Sequence, residues 1–120
     1  MELRVIGKDR VYKLNQLKVG DLVKCEGNVF LPVKSILVVF CYGYCVQLSN
    51  KVRFSASPNL RIKTTQGMKV PEVGDVIYLS KTLTPQITRF TKYEGFKFFY
   101  DILIDGNIIS PDGIIYRFGD

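Results

Sequence analysis

The sequence predicts an all-β protein. Its β-branched and aromatic residues fall in short runs, and turn-forming residues punctuate them roughly every eight to twelve positions. No stretch has the 3.6-residue apolar repeat of a helix. A ten-residue pattern also occurs twice. Residues 17–26 read LKVGDLVKCE, and residues 71–80 read PEVGDVIYLS, an offset of 54 (17 to 71).

The elements follow in order. Residues 4–6 and 11–14 flank the turn GKDR and predict a hairpin. Residues 22–25 form a strand after the first Val-Gly-Asp. The turn EGN at 26–28 leads into a long strand from Val29, with Pro32 at an edge or bend and CYGYCVQL continuing it to Leu48. SNK at 49–51 is a tight turn into VRFSA. Residues 60–64 form a strand, TQGM a turn, and residues 76–79 the strand after the second Val-Gly-Asp. The Thr-rich stretch 81–95 carries Pro85 and predicts a loop or an insertion. KFFYDILI (97–104) alternates as a strand, DGN turns, and GIIYRF (113–118) closes the chain.

The repeated turn has a physical basis. Gly20 and Gly74 permit a positive φ, and Asp21 and Asp75 can accept bonds from nearby backbone amides. The apolar run after each turn enters a core. Two such units in 120 residues predict one domain, residues 1–120, made of two halves related by a pseudo-twofold axis.

Composition excludes much chemistry. The chain has no histidine, so it has no His-assisted triad and no His-ligated metal site. It also lacks a glycine-rich phosphate loop, a GxSxG elbow and a DxDxDG calcium loop. Three cysteines, Cys25, Cys41 and Cys45, argue against a disulfide framework. In one strand Cys41 and Cys45 would lie more than ~10 Å apart, too far for a bridge or a zinc clamp. The expectation is therefore no cofactor and no metal, with the cysteines as small apolar residues. The longest apolar run, Ser35–Cys41, cannot span a membrane. The charged N-terminus is not a signal peptide, which gives a cytoplasmic protein or one carried in a virion.

The net charge of +6 is uneven. No acidic residue occurs from Gly27 to Pro71, where Lys34, Lys51, Arg53, Arg61, Lys63 and Lys69 lie. Acidic residues dominate from Glu94 onward. The basic middle can pair with that acidic tail. It can also meet nucleic acid, through Lys51, Arg53, Arg61 and Lys63.

Four blocks fall in a known order: LNQLKVGDLV, YCVQLSNKVRFSASPNLRIKTTQG, PEVGDVIYL and FYDILIDGNIISPDGIIYRF. In that order they resemble the Hint superfamily of inteins, hedgehog autoprocessing domains and bacterial intein-like domains. The resemblance covers nearly the whole chain and implies an all-β horseshoe of two related halves. It also implies self-cleavage: a leading Cys or Ser attacks the preceding carbonyl, and a TxxH motif activates that bond. A closing His-Asn pair then releases the downstream segment.

Matched residue by residue, that chemistry is missing. The TxxH block falls on Ser57-Pro58-Asn59-Leu60, with Leu60 at the histidine position. The His-Asn pair falls on or near Arg117 and Phe118, and the expectation is that no nucleophile stands before the first strand. These are relic positions, and no catalytic residue is expected. The resulting expectation is a non-catalytic structural or interaction protein. Such a scaffold suits a subunit of a larger assembly, such as a virus particle, whose neighbours cover its sheet edges. The alternatives are a basic nucleic-acid-binding module and residual self-processing. The expected protein contact is the segment 81–95, through Arg89, Phe90, Lys92 and Tyr93.

Overall fold

The computed structural model describes residues 2–79, 84–92 and 95–119. The first hairpin joins β1 (Arg4–Ile6) to β2 (Val11–Lys13). Its closing turn needs Gly7, because a Cβ there would lie 2.5 Å from the Tyr12 ring. Leu14 leaves the hairpin one residue earlier than its sequence suggests, opening a short 3-10 turn, Leu14–Gln16, that buries its side chain.

Next come β3 (Leu22–Cys25), β4 (Val29–Pro32), β5 (Ser35–Cys41) and β6 (Tyr44–Leu48). The long strand predicted from Val29 to Leu48 is thus three strands. Pro32 has no N–H to continue a ladder, and Val33 instead donates to the Asp21 carbonyl. The second break is at Gly43. A Cβ there would sit 2.2 Å from the Phe99 ring and 2.6 Å from the Ala56 oxygen, so only glycine lets the backbone pass. Cys41 and Cys45 consequently occupy two different sheets rather than one strand.

The chain continues through β7 (Arg53–Ala56), β8 (Leu60–Thr64) and β9 (Gly67–Lys69). Residues 76–79 make isolated bridges, Ile77 with Thr64, Val76 with Gln86 and Leu79 with Ile114, instead of the predicted strand. A strand, β10 (Ile87–Lys92), runs inside the stretch expected to be a loop. Its polar composition hides it, because its ladder partner is the distant β6. The last strands are β11 (Lys97–Leu103), β12 (Ile108–Ile109) and β13 (Ile115–Phe118). Among the described residues no helix is long and apolar enough to cross a membrane.

All strand pairings are antiparallel. Six strands form one sheet in the order β4-β3-β12-β13-β8-β9. The others form β10-β6-β7, β11-β5 and β1-β2.

The two halves repeat bond for bond. Gly20, at φ 95, donates to Val33 O at 2.8 Å, and Gly74, at φ 97, donates to Ile87 O at 2.9 Å. The return bonds run from Val33 N to Asp21 O and from Ile87 N to Asp75 O. The Asp21 carboxylate accepts Lys18 N at 2.8 Å, and Asp75 accepts Glu72 N at 2.9 Å. Beyond the turns, Leu22 faces Pro32 as Val76 faces Gln86. Every correspondence holds the offset seen in the sequence, which establishes the pseudo-twofold.

The halves also exchange strands. β5 of the first half pairs with β11 of the second, and β10 of the second pairs with β6 of the first. The core lies between them, with Val5, Val23, Ile62, Ile77, Ile108 and Tyr116 fully buried. Each such aliphatic side chain contributes about 1.5–3 kcal/mol on removal from water. The Tyr116 hydroxyl donates to Arg4 O at 2.9 Å, and burial raises its pKa far above the ordinary phenol range.

The twin turns can be tested singly. Asp21→Ala should lower urea-unfolding stability by about 1 kcal/mol. Asp75→Ala should cost more, because Lys69 Nζ, 3.1 Å from its carboxylate, also loses its partner. Two variants as stable as the parent would show that these carboxylates do not hold the turns.

Candidate functional site

The polar centre of the molecule forms where β7 ends. Ser57, Pro58 and Asn59 carry the chain from β7 to β8, and Asp101 faces them from β11. Ser57 Oγ donates to Asp101, at 2.7 Å from Oδ1 and 2.9 Å from Oδ2. Asn59 Nδ2 donates to Oδ2 at 2.8 Å, and Asn59 N donates to Ser57 Oγ at 3.2 Å. Ser57 and Asp101 are each 1% exposed, so this carboxylate depends on protein donors rather than bulk water. The small space beside them is about 10 Å³, room for one water at most, and is walled by Glu2, Tyr100 and Phe118 among others.

Two of the positions singled out by the resemblance close on the same place. Leu60 is buried and lies opposite Phe118 in the β8–β13 ladder. Arg117 lies opposite Arg61, and its buried Nε has no hydrogen-bond partner. Glu2 bridges to Ser55, and its carboxylate lies 3.1 Å from Lys97 Nζ, so the start of the chain runs beside the cluster. The structure therefore brings Phe118 to Ser57 and Leu60, although the sequence places it far from both. Asp101 was not singled out from the sequence. The available signal was an acidic residue sharing the inward phase of Phe99 within KFFYDILI.

This cluster is poorly equipped for acyl transfer. Ser57 already donates to a carboxylate, and carboxylates are weak bases toward an alcohol. Burial also raises the thiol pKa of Cys25 and of Cys41, the latter helped by the nearby Asp101 charge. Raised thiols disfavour the nucleophilic thiolate. Among the described residues no group of three His, Cys, Asp or Glu side chains is placed to hold a metal.

The candidate partner residues divide. Arg89 and Lys92 are exposed on β10. Phe90 instead packs on the core, its ring 4.7 Å from that of Tyr44. Tyr93 lies outside the described residues. The nucleic-acid candidates divide too. Lys51, at φ 70, and Arg53 belong to the β6–β7 hairpin, whereas Arg61 and Lys63 lie on β8 in the six-stranded sheet. Arg61 Nη1 donates to Leu60 O at 3.1 Å, and Lys63 is ion-paired with Glu26. Basic middle and acidic tail meet directly in the pair Lys34–Asp105. That pair is exposed and contributes little.

An aromatic surface went unpredicted. Phe40, Phe96 and Phe98 are 56–58% exposed. The Phe40 ring lies 5.5 Å from that of Phe96 and 4.7 Å from that of Phe98, and Tyr42 sits 4.1 Å from Phe96. Lys92 Nζ covers the Tyr42 ring at 4.7 Å.

Among solved structures the chain is similar to the gp41-1 intein, with a TM-score of 0.84 over 97% of this chain and 94% of that one at 15% identity. The fold of the chain is that of the inteins it matches. The MchDnaB-1 intein matches with a TM-score of 0.79 over 96% and 95% at 13% identity. A DnaB intein from Synechocystis sp. PCC 6803 matches with a TM-score of 0.77 over 97% and 94% at 16% identity. No family model and no curated protein matches the chain. The all-β horseshoe expected from the sequence is thus the observed fold.

Two measurements probe this region. Ser57→Ala should cost about 1–3 kcal/mol, because it strips a donor from a buried carboxylate. A double-mutant cycle with Asp101→Asn should give a coupling energy well above zero, and a null coupling would break the cluster apart. The Glu26 pKa is lowered, chiefly by Lys63 and then by Asn107. Its stabilisation is complete above the ordinary glutamate value of 4.5 and disappears as pH falls through the lower folded value. Glu26→Gln should therefore flatten the loss of stability below about pH 4.5.

Proposed function

We propose that this chain is a non-catalytic interaction protein on an intein-type scaffold, a subunit of a larger assembly such as a virus particle. One observation carries the reading. Leu60 and Phe118, at the positions where self-cleavage calls for histidine and asparagine, are buried opposite one another as ladder neighbours. An apolar pair there supplies neither a proton donor nor an amide able to cyclise. The complete absence of histidine supports the same reading. The exposed cluster of Phe40, Phe96 and Phe98 supports a role in contact, since clustered aromatics give rigid apolar area at protein interfaces.

Nucleic-acid binding is the second reading, and one contact favours it. Lys92 over Tyr42, next to exposed Phe96, combines a cation with aromatic faces as single-strand binders do. The division of Lys51 and Arg53 from Arg61 and Lys63 between two sheets counts against it.

The decisive test joins a foreign segment to the N-terminus through a cysteine and a second segment to the C-terminus. The fusion should stay intact on prolonged incubation with or without added thiol. Efficient release of either segment would overturn the proposal in favour of self-processing. In the native assembly, the doubly substituted Phe40→Ser/Phe98→Ser protein should be incorporated less well than the parent when both compete. Equal incorporation would remove this surface from the contact.

A further inference from the structure

The outer face of β10-β6-β7 holds a second cavity, about 340 Å³, within the range of small-ligand sites. Strand register explains its lining. Arg89, Gln47 and Arg53 are directly opposed on the three strands and form one row. Thr91, Cys45 and Ser55 form the next row on the same face, two residues along each strand. With neighbouring strands about 4.8 Å apart, the two arginine backbones stand roughly 10 Å from each other with the Gln47 amide between.

The chemistry is one-sided. Two guanidiniums, an amide and two hydroxyls offer donors, and among the described residues no carboxylate lines the cavity. Arg53 and Arg89 are exposed and make no ion pair among the described residues. Lys97 stands at the margin, held by Glu2 at 3.1 Å. Guanidiniums at such spacing can each take an oxygen pair from one ligand carrying separated anionic groups.

We infer that this face binds a small ligand carrying two phosphoryl groups, with Arg53 and Arg89 clamping its ends and Gln47, Ser55 and Thr91 on its floor. A nucleic-acid backbone fits less well. It needs a continuous cationic track, and Arg61 and Lys63 lie on another sheet. The site owes nothing to the Ser57–Asp101 cluster, so it stands whether or not the chain cleaves itself.

The test uses pyrophosphate as probe, titrated into the intact protein by calorimetry, with inorganic phosphate and a single-stranded oligonucleotide in parallel. Pyrophosphate should bind saturably below ~10 mM and more tightly than phosphate. Arg53→Gln and Arg89→Gln should each weaken it about tenfold. Lys13→Gln, on exposed β2, should leave it unchanged. Bound pyrophosphate should also slow alkylation of Cys45 but not of Cys41, read by peptide mass. Absence of saturable binding, or equal weakening by Lys13→Gln, would overturn the inference. So would oligonucleotide binding that follows Arg61 and Lys63 instead of Arg53 and Arg89.

Discussion

The architecture depends on the exchange of strands between its halves. Neither half satisfies its own backbone. Among the described residues β5 finds its ladder partner only in β11, and β10 finds its own only in β6. Without the exchange each crossing strand, and the more buried strand it pairs with, loses its whole ladder. The twin Val-Gly-Asp turns set up the exchange. Each reverses the chain so that the residue closing it, Val33 or Ile87, is pinned beside the turn just before the strand that crosses over. The repeat in the sequence is therefore a structural device and carries no chemistry of its own.

The same exchange creates the polar centre. Asp101 reaches Ser57 across 44 residues because β11 leaves its half and lies against the other. A buried carboxylate tolerates that position only with several donors, and Ser57 and Asn59 supply them. The cluster is thus a solution to burial. Beside it the buried Leu60, opposite Phe118, makes an apolar wall. The same frame carries an exposed aromatic cluster at Phe40, Phe96 and Phe98 and a cavity lined by Arg53 and Arg89.

The fold class and the twofold were legible because they are written in local signals. Gly20 with Asp21 and Gly74 with Asp75 repeat at one offset, and the alternating strands need no tertiary context to be seen. Other features depended on distant partners. The break at Gly43 is dictated by the Phe99 ring and the Ala56 carbonyl, which no window around residue 43 contains. β10 reads as a loop because its face is polar, and β6 makes it a strand. Phe90 looked like an exposed anchor, yet it packs on Tyr44. Ser57 and Leu60 could be located from the resemblance alone, whereas Asp101, which accepts from Ser57 and Asn59, is marked only by contacts from a distant strand.

The central claim is that the two halves are interlocked and open only together. Native-state hydrogen exchange at the amides of Val33 and Ile87 tests it directly. Both are buried, and both donate to the equivalent aspartate carbonyl of their turn. They should exchange with one common free energy, equal to that of global unfolding. A much lower opening free energy at Ile87 than at Val33, or the reverse, would show two independent subdomains and contradict the account.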